Sequence, residues 1–441
     1  MEKDLLEFLP KSYNTVEDFL TAVYPADIAE FLTNLDEEAI KEIITEKMET
    51  TLLAEVIAYL DYENRKIISR NLSDVQLSKI LSLMYADDAT DFLGAMPVGK
   101  VKNILKRMKQ EQATELQRLL GYDDESAGGL MTTEYLAFYS DHTAERVLEK
   151  LRKIGPDAEM IYYIYVISRK KELQGVLSVR QLLAAQTELE LSELMTSKVI
   201  KVDINMDQEE VAYVFAKYDL LAVPVVNKNN QLMGIITVDD AIDVIEDEAT
   251  EDIYKMAATA DIYEGKPLSS VKKRLPWLLI LLVCGLLSGN VIQRFERSLE
   301  AVVTLAFFIP VLMDMGGNVG TQSLAVVVRG LATNELNQRK FWRNLWEEIK
   351  VGLMIALIVA GLISLIAFLW QGNPILGLVV GGSMFTTLLT AVIAGTTFPF
   401  IMHVLGADPA VAAGPFITTL IDISGLFIYF TMATILMEKL I

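Results

Sequence analysis

The sequence predicts a multidomain membrane protein in four parts: an all-α helical repeat, an α/β tandem repeat, a connecting helix and a five-helix all-α transmembrane domain. Three observations carry that reading. Of the 441 residues, those from Lys272 onward hold five long apolar runs. Acid is confined to the front, where residues 1–271 carry 50 Asp and Glu against 28 Lys and Arg, while the remainder carries 9 against 11. The front also repeats itself, at two different periods. The expected boundaries are 1–130 for the acidic helical repeat, 131–194 and 195–248 for the two α/β copies, 249–271 for the connecting helix and linker, and 272–441 for the membrane domain.

Composition narrows the function classes. An acidic surface repels phosphate backbones and anionic lipid, so it argues against nucleic acid and favours cations or basic partners, unless it is simply a solvated surface. Cys284 is the only cysteine and lies in an apolar stretch, which excludes a disulfide within one chain and a thiolate metal cluster. Residues 1–8 carry Glu2, Lys3, Asp4 and Glu7 where a signal peptide needs a basic end and an apolar core, so the front is expected in the cytoplasm. His142 and His403 are the only histidines, and there is no HExxH, no P-loop and no nucleophile with an evident base, so an enzyme is not expected.

The first part is read from its period. Between residues 31 and 120 the pairs Leu35-Asp36, Leu60-Asp61, Met84-Tyr85 and Met108-Lys109 recur about every 24 residues, each flanked by apolar residues at helical spacing. Units this short bury no face alone, so either a small solenoid or a plain helical bundle must supply the core by stacking.

A second repeat begins at Met131. MTTEYLAFYSDHTAERVLEKL (131–151) matches MTSKVIKVDINMDQEEVAYVF (195–215), and LQGVLSVRQLL (173–183) matches LMGIITVDDAI (232–242). Each copy reads strand, helix, strand, strand, helix, with β-branched strands at 162–167 and 222–226 ahead of a polar turn and a glycine. The pattern, clearest in AVPVVNKNNQLMGIITVDD at 222–240, resembles a tandem pair of CBS (cystathionine-β-synthase) domains. That resemblance implies a regulatory module sensing adenine nucleotides or ions, with ATP as a candidate cofactor.

Beyond the second copy, Asp239, Asp240, Asp243, Glu246, Asp247, Glu248, Glu251 and Asp252 follow one another with no Lys or Arg before Lys255. On a helix, Asp239/Asp243, Asp243/Asp247, Asp247/Glu251 and Glu248/Asp252 are like-charge neighbours, each pair repelling by a few tenths of a kcal/mol. Hard divalent cations such as Mg²⁺ neutralise such oxygens well; water on a solvated face is the alternative. The helix is expected to run on through residues 250–260, and a helical linker transmits force where a Gly/Ser coil would not. Gly265 and Pro267 mark a break before the membrane.

Five spans are expected at about 277–292, 301–328, 351–370, 376–402 and 410–437, since a bilayer core takes about 20 apolar residues per helix. Arg339, Lys340, Arg343 and Lys350 between spans two and three place that loop in the cytoplasm, which leaves the C-terminus external; Arg294 and Arg297 oppose this weakly. Asp422 stands in the fifth run with no other charge until Glu438. A carboxylate at that depth costs roughly 2.5 to 3.5 kcal/mol and marks a cation path, or else is tied to Thr418, Thr419 or Ser424. PVLMDMGGNVGTQS (310–323) adds Pro310, Gly316, Gly317 and Gly320, which suit either local unwinding with carbonyls facing water or close helix packing.

This order of parts, with GYDDESAGGLMTTEY at 121–135, PVLMDMGGNVGTQS and TTLIDISGL at 418–426, closely resembles the MgtE family of bacterial Mg²⁺ channels over essentially the whole chain. The resemblance implies a homodimer in the plasma (inner) membrane, with lipid and Mg²⁺ as its other partners, a pore lined by spans two and five, and connecting helices acting as a plug. The family's pore aspartate falls on Asp422 and its glycine-asparagine element on Gly316, Gly317 and Asn318, with Asp314 at the pore mouth or against another helix. Its regulatory Mg²⁺ sites fall on Asp239, Asp243, Asp247, Glu248 and Glu251, with Asp87 and Asp91 as amino-terminal partners and Asp408 in the turn before span five. The implied activity is Mg²⁺-selective uptake shut by cytosolic Mg²⁺. A secondary Mg²⁺/Co²⁺ transporter regulated at the CBS domains is the alternative, although no second half related to the first supplies inverted repeats.

Overall fold

The computed structural model describes residues 13, 15–154, 160–257, 259, 267–332, 336, 341–409 and 414–440. Residues 1–8, Gly265, Arg339 and Lys340, which figure in the expectations above, lie outside the described residues. The chain divides into two compact units, Met1–Glu246 and Asp247–Ile441.

In the first unit the 24-residue period is a series of helical hairpins. Pro25–Thr33 leads into Glu37–Glu42, Thr50–Ala58 into Tyr62–Asn71, Asp74–Leu81 into Ala86–Gly94, and Val98–Leu105 into Gln110–Leu119. The second member of each recurring residue pair, Asp36, Asp61, Tyr85 and Lys109, is the N-cap of the second helix. Asp36 and Asp61 accept the backbone N–H of Ala39 and Asn64 at 2.8 Å, meeting donors that a helix start leaves open. The first helices stack in order, Pro25–Thr33 on Thr50–Ala58, on Asp74–Leu81, on Val98–Leu105. One continuous core from Val16 to Leu116 joins them. Such serial stacking is a solenoid rather than a bundle.

The two CBS copies form a three-stranded sheet each. In the first, β1 (Ala137–Tyr139) lies parallel to β2 (Tyr163–Ile167), which pairs antiparallel with β3 (Leu173–Ser178). In the second, β4 (Val202–Asp203), β5 (Ala222–Val226) and β6 (Leu232–Thr237) repeat that order, with a register shift at the same place on β2 and β5. The copies exchange their leading segments: Thr132 bridges Ile235, and Thr196 bridges Val176. Glycine makes this possible, because a Cβ on Gly234 would meet Met131 Sδ at 2.8 Å and one on Gly175 would meet Met195 Sδ at 2.5 Å. The last helix of the second copy crosses the domain boundary drawn at 248, as its expected continuation requires. It runs unbroken over Val238–Met256 and takes in the connecting helix.

Among the described residues of the second unit five helices are long and apolar enough to cross a membrane: Ser270–Arg294, Val303–Leu331, Phe341–Gln371, Pro374–Val404 and Gly414–Ile435, spans one to five. Span four is the centre, packed on spans two, three and five. Span one packs on span five and leaves most of its apolar surface open, with Leu282 and Leu286 more than half exposed. Phe295 stacks on Phe430 at 5.2 Å, and the Tyr429 hydroxyl donates to the Leu305 carbonyl at 2.9 Å, so the start of span two is fixed to span five. Span two begins as a 3₁₀ segment, Val303–Phe308, and continues as one helix, Ile309–Ala332. The unwinding allowed for at its glycines does not occur.

Candidate ion sites

Asp422 sits inside span five among hydroxyls that serve the helix itself. Thr418 and Thr419 donate to the Gly414 and Pro415 carbonyls at 2.8 Å, and Ser424 to the Leu420 carbonyl at 2.9 Å. This back-bonding is ordinary for Ser and Thr in helices. It leaves Asp422 Oδ1 buried without a hydrogen-bond partner, so Asp422 is not held by its neighbours. An unsatisfied carboxylate oxygen at membrane depth calls for water, an ion or another chain. The carboxylate lines a groove of about 560 Å³ with Thr418 and Thr419, Met313 and Thr321 of span two, and Met256 at the end of the acidic helix.

Span two offers two faces. Asp314, Asn318 and Gln322 stand one turn apart on an exposed polar stripe, and Asp314 is near enough to Asp422 to repel it. Gly316 and Gly317 point inward. A Cβ on Gly316 would meet Ile421 at 2.8 Å, one on Gly317 would meet Thr418 at 2.7 Å, and Gly320 lies against Ile421 and Ile417. The glycines therefore let spans two and five approach closely, and the Gly317 carbonyl accepts the Thr321 hydroxyl at 2.9 Å. Packing, the competing reading of these residues, describes what the structure does with Gly316 and Gly317.

In the first unit the start of the acidic helix meets the Ala86–Gly94 helix. Partial burial raises the Asp88 carboxyl to about 6; Arg65 pulls it down, while Asp91, Asp239 and Asp243 push it further up. Asp240 rises to about 7, chiefly through burial, although it accepts the Thr237 hydroxyl at 2.7 Å. That contact closes the first turn of the helix, so Asp240 has a capping role as well. Of the acids named from sequence, Asp239 and Asp243 join this cluster. Asp91 is instead paired with Arg65 at 3.3 Å, and Asp87 accepts the Asp88 N–H at 3.0 Å. Asp88 was the residue missed. Ala86, Ala89, Phe92 and Leu93 fill the buried side of its helix, which leaves 87, 88 and 91 alike off that side and does not single out 88.

In the second unit Asp247, Glu248 and Glu251 continue along the same helix, and Lys255 answers them. Its ammonium lies 2.6 Å from Glu251 and 2.6 Å from Asp408 in the turn before span five. Burial works against the Lys255 charge, but the hydrogen bonds to Asp408 and Glu251 raise its pKa well above the usual value. Asp252 beside it is raised by burial and by Asp408. Asp408, expected to share an ion with these acids, shares an ammonium. Among the described residues no three acidic, His or Cys side chains converge closely enough to form a ready metal cage.

Family models match most of the chain in order: the MgtE intracellular N domain over residues 23–125, the CBS domain over 127–188 and 191–247, and the MgtE divalent cation transporter over 309–432. The magnesium transporter MgtE of Bacillus subtilis is 40% identical over 390 residues, 88% of this chain and 86% of that protein. Its counterpart from Thermus thermophilus is 37% identical over 430 residues, 96% of this chain and 95% of that protein. The crystal structure of the cytosolic domain of the Mg²⁺ channel MgtE in complex with ATP is 34% identical, with a TM-score of 0.50, and spans 55% of this chain and 98% of that one. This chain belongs to the MgtE family of divalent cation transporters.

Proposed function

We propose that the chain is a Mg²⁺-selective channel for uptake across the plasma membrane, held shut by cytosolic Mg²⁺ bound to the acids of its front half. The observation that carries the reading is Asp422: a carboxylate oxygen, buried at membrane depth and without a protein partner, lining a groove that Met256 at the end of the acidic helix also lines. Two copies would bring two such carboxylates to one axis, matching the charge of one divalent ion. Mg²⁺ sheds water reluctantly, so Asp422, Asp314 and Asn318 would hold it through its hydration shell. A second copy also explains surfaces that a single chain leaves exposed. The Asp314, Asn318 and Gln322 stripe is costly against lipid, and Ile242, Ile245 and Ile253 form an apolar line on the acidic helix.

Regulation follows from repulsion. Asp88, Asp239 and Asp243 oppose one another in the first unit, and Glu251, Asp252 and Asp408 do so around Lys255 in the second. Mg²⁺ shared between such carboxylates would cancel the repulsion and favour the closed state in proportion to its differential affinity for it. With no inner-shell cage in one chain, binding through water or between subunits fits the donors present. Asp247, Glu248, Asp87 and Asp91 supply further oxygens at the edges of these clusters. The ATP in the related cytosolic domain suggests a nucleotide between the CBS copies here as well. The Tyr165 hydroxyl, buried without a partner in the core shared by both copies, is a group that such a ligand would satisfy. A flat calorimetric titration of the full chain with ATP would remove that part.

The pore reading is tested by Mg²⁺ flux into proteoliposomes. Asp422→Asn, which keeps the shape and removes the charge, is expected to lower the flux at least about tenfold, the equivalent of 1.4 kcal/mol. An unchanged flux would contradict it.

A further inference from the structure

Span four carries several threonines, and one of them behaves differently. Thr386, Thr390 and Thr396 each donate their hydroxyl to the carbonyl one turn earlier, at 2.9, 2.9 and 2.7 Å. Thr387 is 1% exposed and its Oγ1 has no hydrogen-bond partner. An orphaned hydroxyl in a dry interior costs about 1–3 kcal/mol, so something else must hold the side chain where it is. That something is a notch between two glycines. A Cβ on Gly425 of span five would lie 2.9 Å from Thr387 Cγ2 and 3.4 Å from its Oγ1, and a Cβ on Gly316 of span two would lie 3.1 Å from the same methyl.

One methyl thus touches both helices that carry the candidate ion groups, at the height of those groups. Gly425 is three residues beyond Asp422, and Gly316 stands between Asp314 and Asn318. Neither glycine has a side chain with which its own helix could fill the space.

We propose that Thr387 is a positioning residue of the permeation path, its methyl acting as the spacer that fixes spans two and five against each other and so sets which divalent ion passes. This rests on the pore reading of Asp422. The role belongs to the shape of the side chain and not to its hydroxyl. Packed helices shift by whole contacts and do not deform smoothly, so a missing methyl moves the two helices relative to each other. Selectivity depends on the width of the path and the spacing of its oxygens, so it changes with that movement.

The test measures the Mg²⁺ to Ca²⁺ permeability ratio of the full chain in planar bilayers, from reversal potentials. Thr387→Val keeps the methyl and removes the hydroxyl, and should stay within about twofold of the wild-type ratio. Thr387→Ser and Thr387→Ala lose the methyl and should each change the ratio by about fivefold or more. Gly425→Ala forces a clash and should do at least as much, with Thr387→Ala in the same chain restoring part of the loss, since the two sites are coupled. A Thr387→Val variant that behaves like Thr387→Ala would overturn the proposal, as would Ser and Ala variants with the wild-type ratio. Asp422→Asn is recorded alongside. An unchanged ratio there sinks the pore reading itself, whereas a changed ratio with a flat Thr387 series sinks only the role of Thr387.

Discussion

The two acidic regions of this molecule differ in kind. In the front, burial pushes Asp88 and Asp240 up to about 6 and about 7, and the acids around them, Asp239 and Asp243 among them, push further. In the membrane, Asp422 has a buried oxygen that lacks a partner in its own chain, with Asp314 of span two as its acidic neighbour. Crowded acids store repulsion, which a cation can release by drawing elements together, and that suits a sensor. An acid at depth with a single acidic neighbour stores little of the kind; it chiefly lowers the barrier for a positive charge, and that suits a path. The same residue type does different work because of the number of its neighbours.

The difference is broken most severely by exchanging which region is neutralised. Asp422→Asn should abolish most flux yet keep the rise in thermal midpoint expected on adding Mg²⁺, since the sensor acids are untouched. Replacing Asp88, Asp239 and Asp243 together by Asn should do the reverse. Permeability ratios stay at wild type, while the cytoplasmic Mg²⁺ needed to close the protein rises about tenfold or closure is lost. A triple variant that alters selectivity would show that the two regions are not separable.

A smaller effect is expected at Lys255. Its ammonium joins Glu251 of the acidic helix to Asp408, with Asp252 nearby. Lys255→Met leaves three carboxylates facing one another, so closure should require about two- to fivefold more Mg²⁺, measured as flux against cytoplasmic Mg²⁺. An unchanged midpoint would mean that this ion pair is a surface contact of little weight.

The smallest effect is in pH. The folded values of Asp88 and Asp240 lie above the ordinary carboxyl value, so the folded chain retains protons that the unfolded chain has released. Their contribution is unpenalised at low pH, and stability falls as pH rises from about 4 to about 7. A divalent ion competes with those protons. Mg²⁺ should therefore raise the thermal midpoint by a few degrees more at about pH 8 than at about pH 5, read by differential scanning of the full chain. Equal shifts at the two values would place the ion elsewhere.

Much of this architecture was legible because it is written locally. The helix pairs of the first unit announce themselves through apolar spacing at Asp36, Asp61, Tyr85 and Lys109, with capping chemistry to match at Asp36 and Asp61. The CBS copies share a register down to the shift on β2 and β5, and the spans follow from hydropathy alone. Asp422 is conspicuous in any reading because nothing else in its run is charged. What was not legible depends on partners distant in sequence. Asp88 lies near Asp239 and Asp243 because of how two helices distant in sequence pack, and no spacing rule says so. Gly316 and Gly317 read equally as hinge or as packing surface until Ile421 and Thr418 are seen against them. The acidic helix, expected to run on past the domain boundary drawn at 248, does so, and its backbone continues to Met256.

The most direct measurement is single-channel current from the purified chain in a planar bilayer, with Mg²⁺ as charge carrier and Mg²⁺ on the side of the acidic helix stepped from micromolar to about 10 mM, where weak carboxylate sites saturate. The account predicts discrete Mg²⁺ openings that disappear at the high end. Slow uptake without unitary currents, the behaviour of a carrier, or openings indifferent to Mg²⁺ on that side would contradict it.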